Sequence, residues 1–482
     1  MPETTLEVDV SQVLNRVEPR VLGINVNYLV DHDANRPAGA RPLLAALREM
    51  GPRSLRYPGG NKSDSYLWSR PPFARPRPAV VPGVWPAVAS RVGAEPLVSA
   101  DGKTFRTRPL DFDRFMRLCR RLHAEPTLVI CYDSLHDPRA SITRREIIQT
   151  AAAWVRYANV DKGYGVSCWE IGNESYLDAN VKVEDYVGDL IEIARAMKAV
   201  DPTIKIGAAG PNGVESPGSA KAGNTTPWWQ EVFAAAGDLV DIAVVHIYPC
   251  WEWRGYEAYR SVGPDVAGPI DAAFAAARRW GPPGLAERLR VAVTELNSAD
   301  WSQGGWPTIN NLGHALVLFD IIGSLLEHPR VDMAQVWNTR WVSHKPDEPS
   351  LWDAVDDHNQ LQPTGRALAI WTRFVGDQMV RISQAQRVKA FASYSPAAPR
   401  LTIFLLNKDA VTRDVSVALA GYRRARVARR WTWSGEGPED VRPTWSDSER
   451  LPVSRGEVAL ALPADSLTVV ELGGRTSGGW AG

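Results

Sequence analysis

At 482 residues, with Lys+Arg and Asp+Glu both numbering 55, the chain has no formal net charge and no long block of one sign, which argues against a nucleic-acid or membrane-surface partner. Its length exceeds the roughly 250 to 300 residues at which single cores stop growing, so about two domains are expected. The N-terminus has no basic segment ahead of an apolar run, and no apolar stretch approaches the roughly 18 residues of a membrane span, so a soluble, cytoplasmic protein is expected.

In chain order, the first element is a strand pattern at Leu6, Val8 and Val10, and segment 1–18 is expected to join a sheet formed by the C-terminal part. Eight short apolar runs rich in Val and Ile follow, at 21–28, 54–60, 126–133, 167–174, 203–211, 241–249, 290–297 and 333–340. Helical spacing lies between them: Phe112, Phe115, Leu118, Cys119 and Leu122 form one stripe behind Asp111 as N-cap, and Leu312, Ala315, Leu316, Phe319, Ile322 and Leu326 form another. Strict alternation calls for parallel strands with right-handed crossovers, and eight repeats fit a closed (β/α)₈ TIM barrel over 19–376. A doubly wound open sheet is the alternative. After a last helix at 363–376 come short strand-like pieces at 388–394, 400–406, 412–419, 426–432 and 467–472, which predict a C-terminal antiparallel β-sandwich over 377–475.

Long connections at 69–110, 250–267 and 341–362 fall on the face where barrel enzymes carry their sites. The Pro- and Arg-rich stretch 70–92 is either a lid over a substrate or a surface insertion.

Strand ends on that face should hold the reactive groups. Glu174 closes Trp169-Glu170-Ile171-Gly172-Asn173-Glu174, and Glu295 lies in Val293-Thr294-Glu295-Leu296-Asn297. Strands four and seven face each other across a barrel mouth. Breaking a glycosidic bond needs such a pair, because one carboxyl protonates the leaving oxygen while the other meets the oxocarbenium-like centre. The bland alternative is two structural glutamates in salt bridges or caps. Nineteen tryptophans fit sugar stacking as well as core filling. Cys119, Cys131, Cys168 and Cys250 form no CxxC and read as buried core residues. HExxH, GxGxxG and GxSxG are absent, and neither a cofactor nor a metal is expected.

The glutamate pair with its Gly-Asn resembles clan A glycoside hydrolases, retaining barrel enzymes with an acid/base on strand four and a nucleophile on strand seven. Within that clan, Leu55-Arg56-Tyr57-Pro58-Gly59-Gly60-Asn61, followed by Ser63-Asp64-Ser65-Tyr66-Leu67-Trp68, resembles the arabinofuranosidases of glycoside hydrolase family 51. The resemblance implies a C-terminal sandwich completed by an N-terminal strand. It also implies a substrate site drawing on Arg56, Asn61, Trp68, Asn173, His246, Tyr248 and Trp337, with Asn173 on the sugar 2-hydroxyl and Tyr248 orienting the nucleophile. For His246 a satisfied buried histidine, for Trp337 packing, and for Arg56 a structural ion pair remain open. At one position the chain departs from the family, placing Asn27 where a glutamate usually contacts the furanose ring. An amide still hydrogen-bonds a hydroxyl but loses the charge assistance.

The expected activity is therefore retaining hydrolysis of a terminal α-L-arabinofuranoside in an oligosaccharide or glycoconjugate. The two carboxyls should lie about 5 to 5.5 Å apart, and Glu174 should have a raised pKa. Alternatives are another clan A specificity (β-xylosidase, β-glucuronidase or endo-acting), a transglycosylating enzyme, or a carbohydrate-binding barrel without turnover. The resemblance leaves a homo-oligomer open. The sequons at Asn61 and Asn173 fall inside the expected site and read as coincidence.

Overall fold

The computed structural model describes residues 4–83, 91–92, 95–302, 309–341, 350–422 and 426–473. Eight parallel strands close a barrel: Gly23–Asn25, Ser54–Tyr57, Glu125–Ile130, Cys168–Ile171, Lys205–Ala209, Ile242–Ile247, Arg290–Leu296 and Val331–Val336, here called barrel strands one to eight. Each falls within, or within two residues of, the run read from sequence. Such strands are buried on both faces, inside by one another and outside by helices, so they read as continuous apolar runs instead of alternating ones. Strand six, with all six residues buried, shows this most fully.

The helix Phe112–Leu122 buries Phe112, Phe115, Met116, Cys119 and Leu122, and the Asp111 side chain accepts from the Arg114 amide at its N-terminus. The helix Leu312–Glu327 differs from its single-stripe reading, since only Ser324 and Glu327 are not fully buried. One face lies on the barrel and the other meets the C-terminal sheet, so it is covered all round.

The C-terminal unit corrects one expectation. It is a single mixed sheet of ten strands and not a wholly antiparallel sandwich. The N-terminal strand Thr4–Arg16 lies inside it, antiparallel to Gln378–Ile382 and parallel to Arg413–Ala420. The sheet curls around its own core, where Leu6 and Val8 meet Val380, Ile403, Leu405, Val417, Leu460 and Val470. Its opposite face packs on the barrel: Trp371 lies 4.4 Å from Phe319 and 4.3 Å from Phe404 between ring centroids, and Phe374 lies 5.0 Å from Trp431. A Cβ at Gly323 would come within 2.6 Å of Phe391, so only glycine permits this approach.

The excursion after strand two is not structureless. Tyr66–Leu67 pairs with Ala79–Val80, Val98 bridges to Phe105, and Val80, Val81, Leu97 and Val98 are buried against the barrel. Residues 84–90 of the stretch considered as a lid lie outside the described residues, as do 93–94 just beyond it and 342–349 of the strand-eight loop. Among the described residues no helix is long and apolar enough to cross a membrane.

Candidate active site

Barrel strand two ends in Arg56, whose side chain is wholly buried. Its Nε and Nη2 donate to Glu170 Oε2 at 3.0 and 2.9 Å, and its Nη1 donates to Glu295 Oε1 at 2.8 Å and to Asn25 Oδ1 at 3.1 Å. Nη2 also reaches Asn173 Oδ1 at 2.9 Å. A planar fork with five donors can tie three other strands to its own in this way, which a lysine cannot. The two carboxylates hold the guanidinium charged despite its burial, pushing its pKa above the ordinary arginine value.

Strand seven carries a bulge here. Val245 pairs with Val293 but His246 pairs with Glu295, so Thr294 is the extra residue. A bulge re-aims the side chains that follow it. Glu295, 5% exposed, consequently reaches the mouth, where its Oε2 accepts from Tyr248 Oη at 2.9 Å while Arg56 holds Oε1.

Across the mouth, Glu174 has φ +31° and ψ +29°, a left-handed backbone uncommon for a glutamate, and its side chain is 31% exposed. Its Oε1 stands 2.8 Å from His246 Nδ1, and His246 Nε2 is 3.2 Å from Thr294 Oγ1. Oxygens of Glu174 and Glu295 and a ring nitrogen of His246 all lie within 4.8 Å of one another. These are also the atoms through which an ion would be held among the described residues. An oxygen-to-oxygen approach within 4.8 Å is shorter than the roughly 6.5 to 9.5 Å that leaves room for an inverting enzyme's water.

The expected rise in the Glu174 pKa is not what this arrangement produces. Burial pushes it up, but the hydrogen bond and charge of His246, with Arg56 behind, outweigh burial and leave it below the ordinary carboxylate value. His246 is lowered by burial and raised more by Glu295 and Glu174, ending above the ordinary imidazole value. Both shifts run in the same sense, each charge favouring the ionised form of the other.

The other residues singled out from sequence divide into three groups. Trp337, at the end of strand eight, is brought in: a Cβ at Gly60 would lie 2.2 Å from its ring and 3.0 Å from Glu295 Oε1, so the Gly60 backbone, at φ +47°, is wedged between them. Asn61 is exposed in the same turn. Asn27 is 1% exposed with its amide committed to main chain, donating to the Arg340 carbonyl at 2.9 Å and accepting from Leu29 N–H at 3.1 Å. Trp68 is not brought to the site. It is wholly buried behind the barrel wall, stacked 6.0 Å from Trp154 and donating to the Thr150 carbonyl.

Sequence reasoning missed several neighbours. Asn25 and Glu170 hold Arg56 from inside the barrel. Lys62 lies with Nζ 3.6 Å from the Trp341 ring centroid and 5.1 Å from that of Trp337; burial lowers its pKa to about 7 against the pull of Glu295, Asp31 and Asp353. Asp300, after strand seven, is raised to about 7 by burial and by the charges of Glu174 and Glu295, placing a third carboxyl at this mouth. The signal for Lys62 was its position directly after the recognised turn.

Residues 46–260 match the family model of the α-L-arabinofuranosidase 1 domain. The chain is similar to the α-L-arabinofuranosidases. A probable α-L-arabinofuranosidase C of Aspergillus fumigatus is 24% identical over 229 residues, covering 44% of this chain and 40% of that protein. An intracellular exo-α-(1→5)-L-arabinofuranosidase of Streptomyces lividans is 24% identical over 265 residues, covering 50% of this chain and 36% of that protein. The chain thus spans about four-tenths of the length of the curated relatives it matches. In fold the likeness runs end to end: the α-L-arabinofuranosidase of Thermotoga maritima, solved with arabinose, superposes with a TM-score of 0.74 over 97% of this chain and 99% of its own, at 18% identity.

Proposed function

We propose that the chain is a retaining glycoside hydrolase that removes terminal α-L-arabinofuranosyl residues, with Glu295 as nucleophile and Glu174 as acid/base. The observation that carries this is the close carboxylate pair across the mouth, with Glu295 held by Arg56 and Tyr248 while Glu174 Oε1 stands 2.8 Å from His246 Nδ1. The arabinofuranosidase likeness of residues 46–260 supports the choice of sugar.

In this reading Glu295 attacks the anomeric carbon as the glycosidic C–O bond breaks. The electron pair goes to the leaving oxygen, which takes a proton from Glu174. That proton passes from His246 along the 2.8 Å hydrogen bond as substrate displaces water from the exposed side of Glu174. Water then attacks the glycosyl-enzyme, gives its proton to Glu174, and frees Glu295 with retention at the anomeric carbon. Asn173, fixed by Arg56, is positioned for the sugar 2-hydroxyl, and Trp337 floors the pocket. Asn27, tied to main chain, leaves the furanose ring without a charge-assisted partner at that position. The substrate is an oligosaccharide or small glycoconjugate, with neither nucleic acid nor membrane involved, and the S. lividans relative's description as intracellular supports a cytoplasmic location.

The test is turnover of aryl α-L-arabinofuranoside, β-D-xyloside, β-D-glucuronide and β-D-galactofuranoside by the wild type beside Glu295→Ala and Glu174→Ala. Turnover of the arabinofuranoside, lost in Glu295→Ala, is expected. Turnover that survives Glu295→Ala overturns the nucleophile, and inactivity on every member overturns the exo-acting reading.

A further inference from the structure

Behind Glu174 three turns meet, each at the end of a barrel strand, and two aspartates join them. The Asp64 carbonyl, in the turn after strand two, accepts from Cys131 Sγ at 3.0 Å and Ser134 Oγ at 2.5 Å, both at the end of strand three. Asp133, in that same strand-three turn, accepts the Asn173 backbone N–H through Oδ2 at 3.2 Å and lies against the Ser175 hydroxyl, which also reaches the Asn173 carbonyl at 3.3 Å. The residues either side of Glu174 are therefore both held by Asp133. The fit is close, since a Cβ at Gly172 would fall 2.3 Å from Ser175 Oγ and 3.5 Å from Asp133 Oδ2.

The remaining oxygens state the problem. Asp64 Oδ1 and Asp133 Oδ1 are both buried, and among the described residues neither has a hydrogen-bond donor in reach. Two ionised carboxylates in contact away from water would be mutually repulsive and unsolvated. One proton between them satisfies both oxygens and leaves a single negative charge.

We propose that Asp64 and Asp133 share a proton as a carboxylic acid–carboxylate pair that positions Glu174, holding its left-handed turn through Asn173 and Ser175. This rests on the reading of Glu174 as acid/base. Burial and surrounding charge agree on where the proton resides. Asp64 is raised far above the ordinary carboxylate value by burial and by Asp133, Glu174 and Asp178, while Asp133 is raised by burial only to about 7, held back by the hydrogen bonds from Ser175 and Asn173. Asp64 is thus the donor and Asp133 the anion that accepts the Asn173 N–H. A left-handed glutamate costs on the order of 1 to 3 kcal/mol and persists only where its surroundings fix it. Asp133 supplies that restraint.

The experiment compares two aryl glycosides of the hydrolysed sugar, a 2,4-dinitrophenyl glycoside, whose leaving group needs no protonation, and the unsubstituted phenyl glycoside, which needs it. Asp133→Ala should slow the phenyl glycoside at least about tenfold more than the dinitrophenyl one, the mark of a misplaced general acid. Asp64→Asn, whose amide N–H replaces the shared proton, should keep the wild-type ratio. A protonated-carboxyl stretch in the infrared that persists at mildly alkaline pH should vanish in Asp64→Asn. If Asp133→Ala does not fold, Asp64→Ala, which removes only the donor side, carries the same expectation. Equal slowing of both substrates, or a phenyl-selective loss in Asp64→Asn, overturns the proposal. Glu174→Ala run alongside separates the two readings, because its failure to discriminate between the substrates overturns the acid/base assignment itself.

Discussion

His246 has Nδ1 on Glu174, Nε2 on Thr294 and Glu295 Oε2 at 3.6 Å, so its charge answers to both carboxylates at once. Glu174 is depressed and His246 raised, so their attraction is present above the Glu174 pKa and is lost as pH rises through that of His246. On the mechanism proposed above, donation to the leaving group draws on the one proton this pair carries in that window. In the wild type the alkaline limb of kcat/KM should therefore fall above the ordinary imidazole pKa. His246→Asn removes the carrier, and the proton must then be held by Glu174 alone. The alkaline limb should move to lower pH, with kcat/KM reduced at least about tenfold on a phenyl glycoside. An unmoved limb would mean that another group, Asp300 foremost, supplies the proton. The glutamates and their Gly-Asn neighbour were legible because strand-end position and residue type together are informative. Trp68 was not, because a tryptophan that stacks on sugar and one that fills a core are the same letter, and only the ring contacts with Trp154 and Tyr157 tell them apart. The Glu174 pKa was misjudged because the sequence does not show that His246 Nδ1 stands 2.8 Å from Glu174 Oε1, where its charge outweighs burial.

At the level of elements, the eight barrel strands were readable since each is a short apolar run with helical spacing after it. The strands Gln378–Ile382 and Glu457–Leu462 were not, the first because only Val375-Gly376-Asp377 separates it from the helix Pro363–Phe374. The helix Leu312–Glu327 hides a further relation: it is the plane of contact between barrel and sheet, and a one-sided stripe cannot announce a second partner. Trp371 is the centre of that contact, stacked on Phe319, tilted against Phe404 and donating its indole N–H to the Phe319 carbonyl. Truncating it leaves a large void between two rigid layers. Trp371→Ala should lower the unfolding free energy by about 3 to 5 kcal/mol. Gly323→Ala, which forces a methyl against Phe391, should cost about 1 to 3 kcal/mol. Denaturant midpoints measure both. Because Trp371 lies on the outer side of the barrel helices, kcat/KM of the folded fraction should be unchanged. A Trp371→Ala variant of unaltered midpoint would show that barrel and sheet do not depend on this contact.

On the scale of the whole molecule, the strand Thr4–Arg16 is the first segment of the chain and yet lies in the interior of the last sheet. It separates Gln378–Ile382 from Arg413–Ala420, and among the described residues no other strand bridges them. It also reaches the barrel, where Asn15 donates to the Leu326 and His328 carbonyls at the end of the helix Leu312–Glu327. Removing residues 1–16 would uncover two strand edges at once and open the core around Val380, Val417 and Leu460 to water. Unpaired edges flanking an apolar face template association with other chains. The truncated protein should therefore aggregate on expression, and refolding should yield higher-order species by light scattering. Supplying a peptide of residues 4–16 during refolding should restore a defined species, since the backbone donors and acceptors of both neighbours await the same partner. If the truncated chain were instead monodisperse and as resistant to denaturant as the full one, the two halves of the sheet would have to close on each other directly, and the N-terminal strand would be an ornament of the sheet and not its keystone.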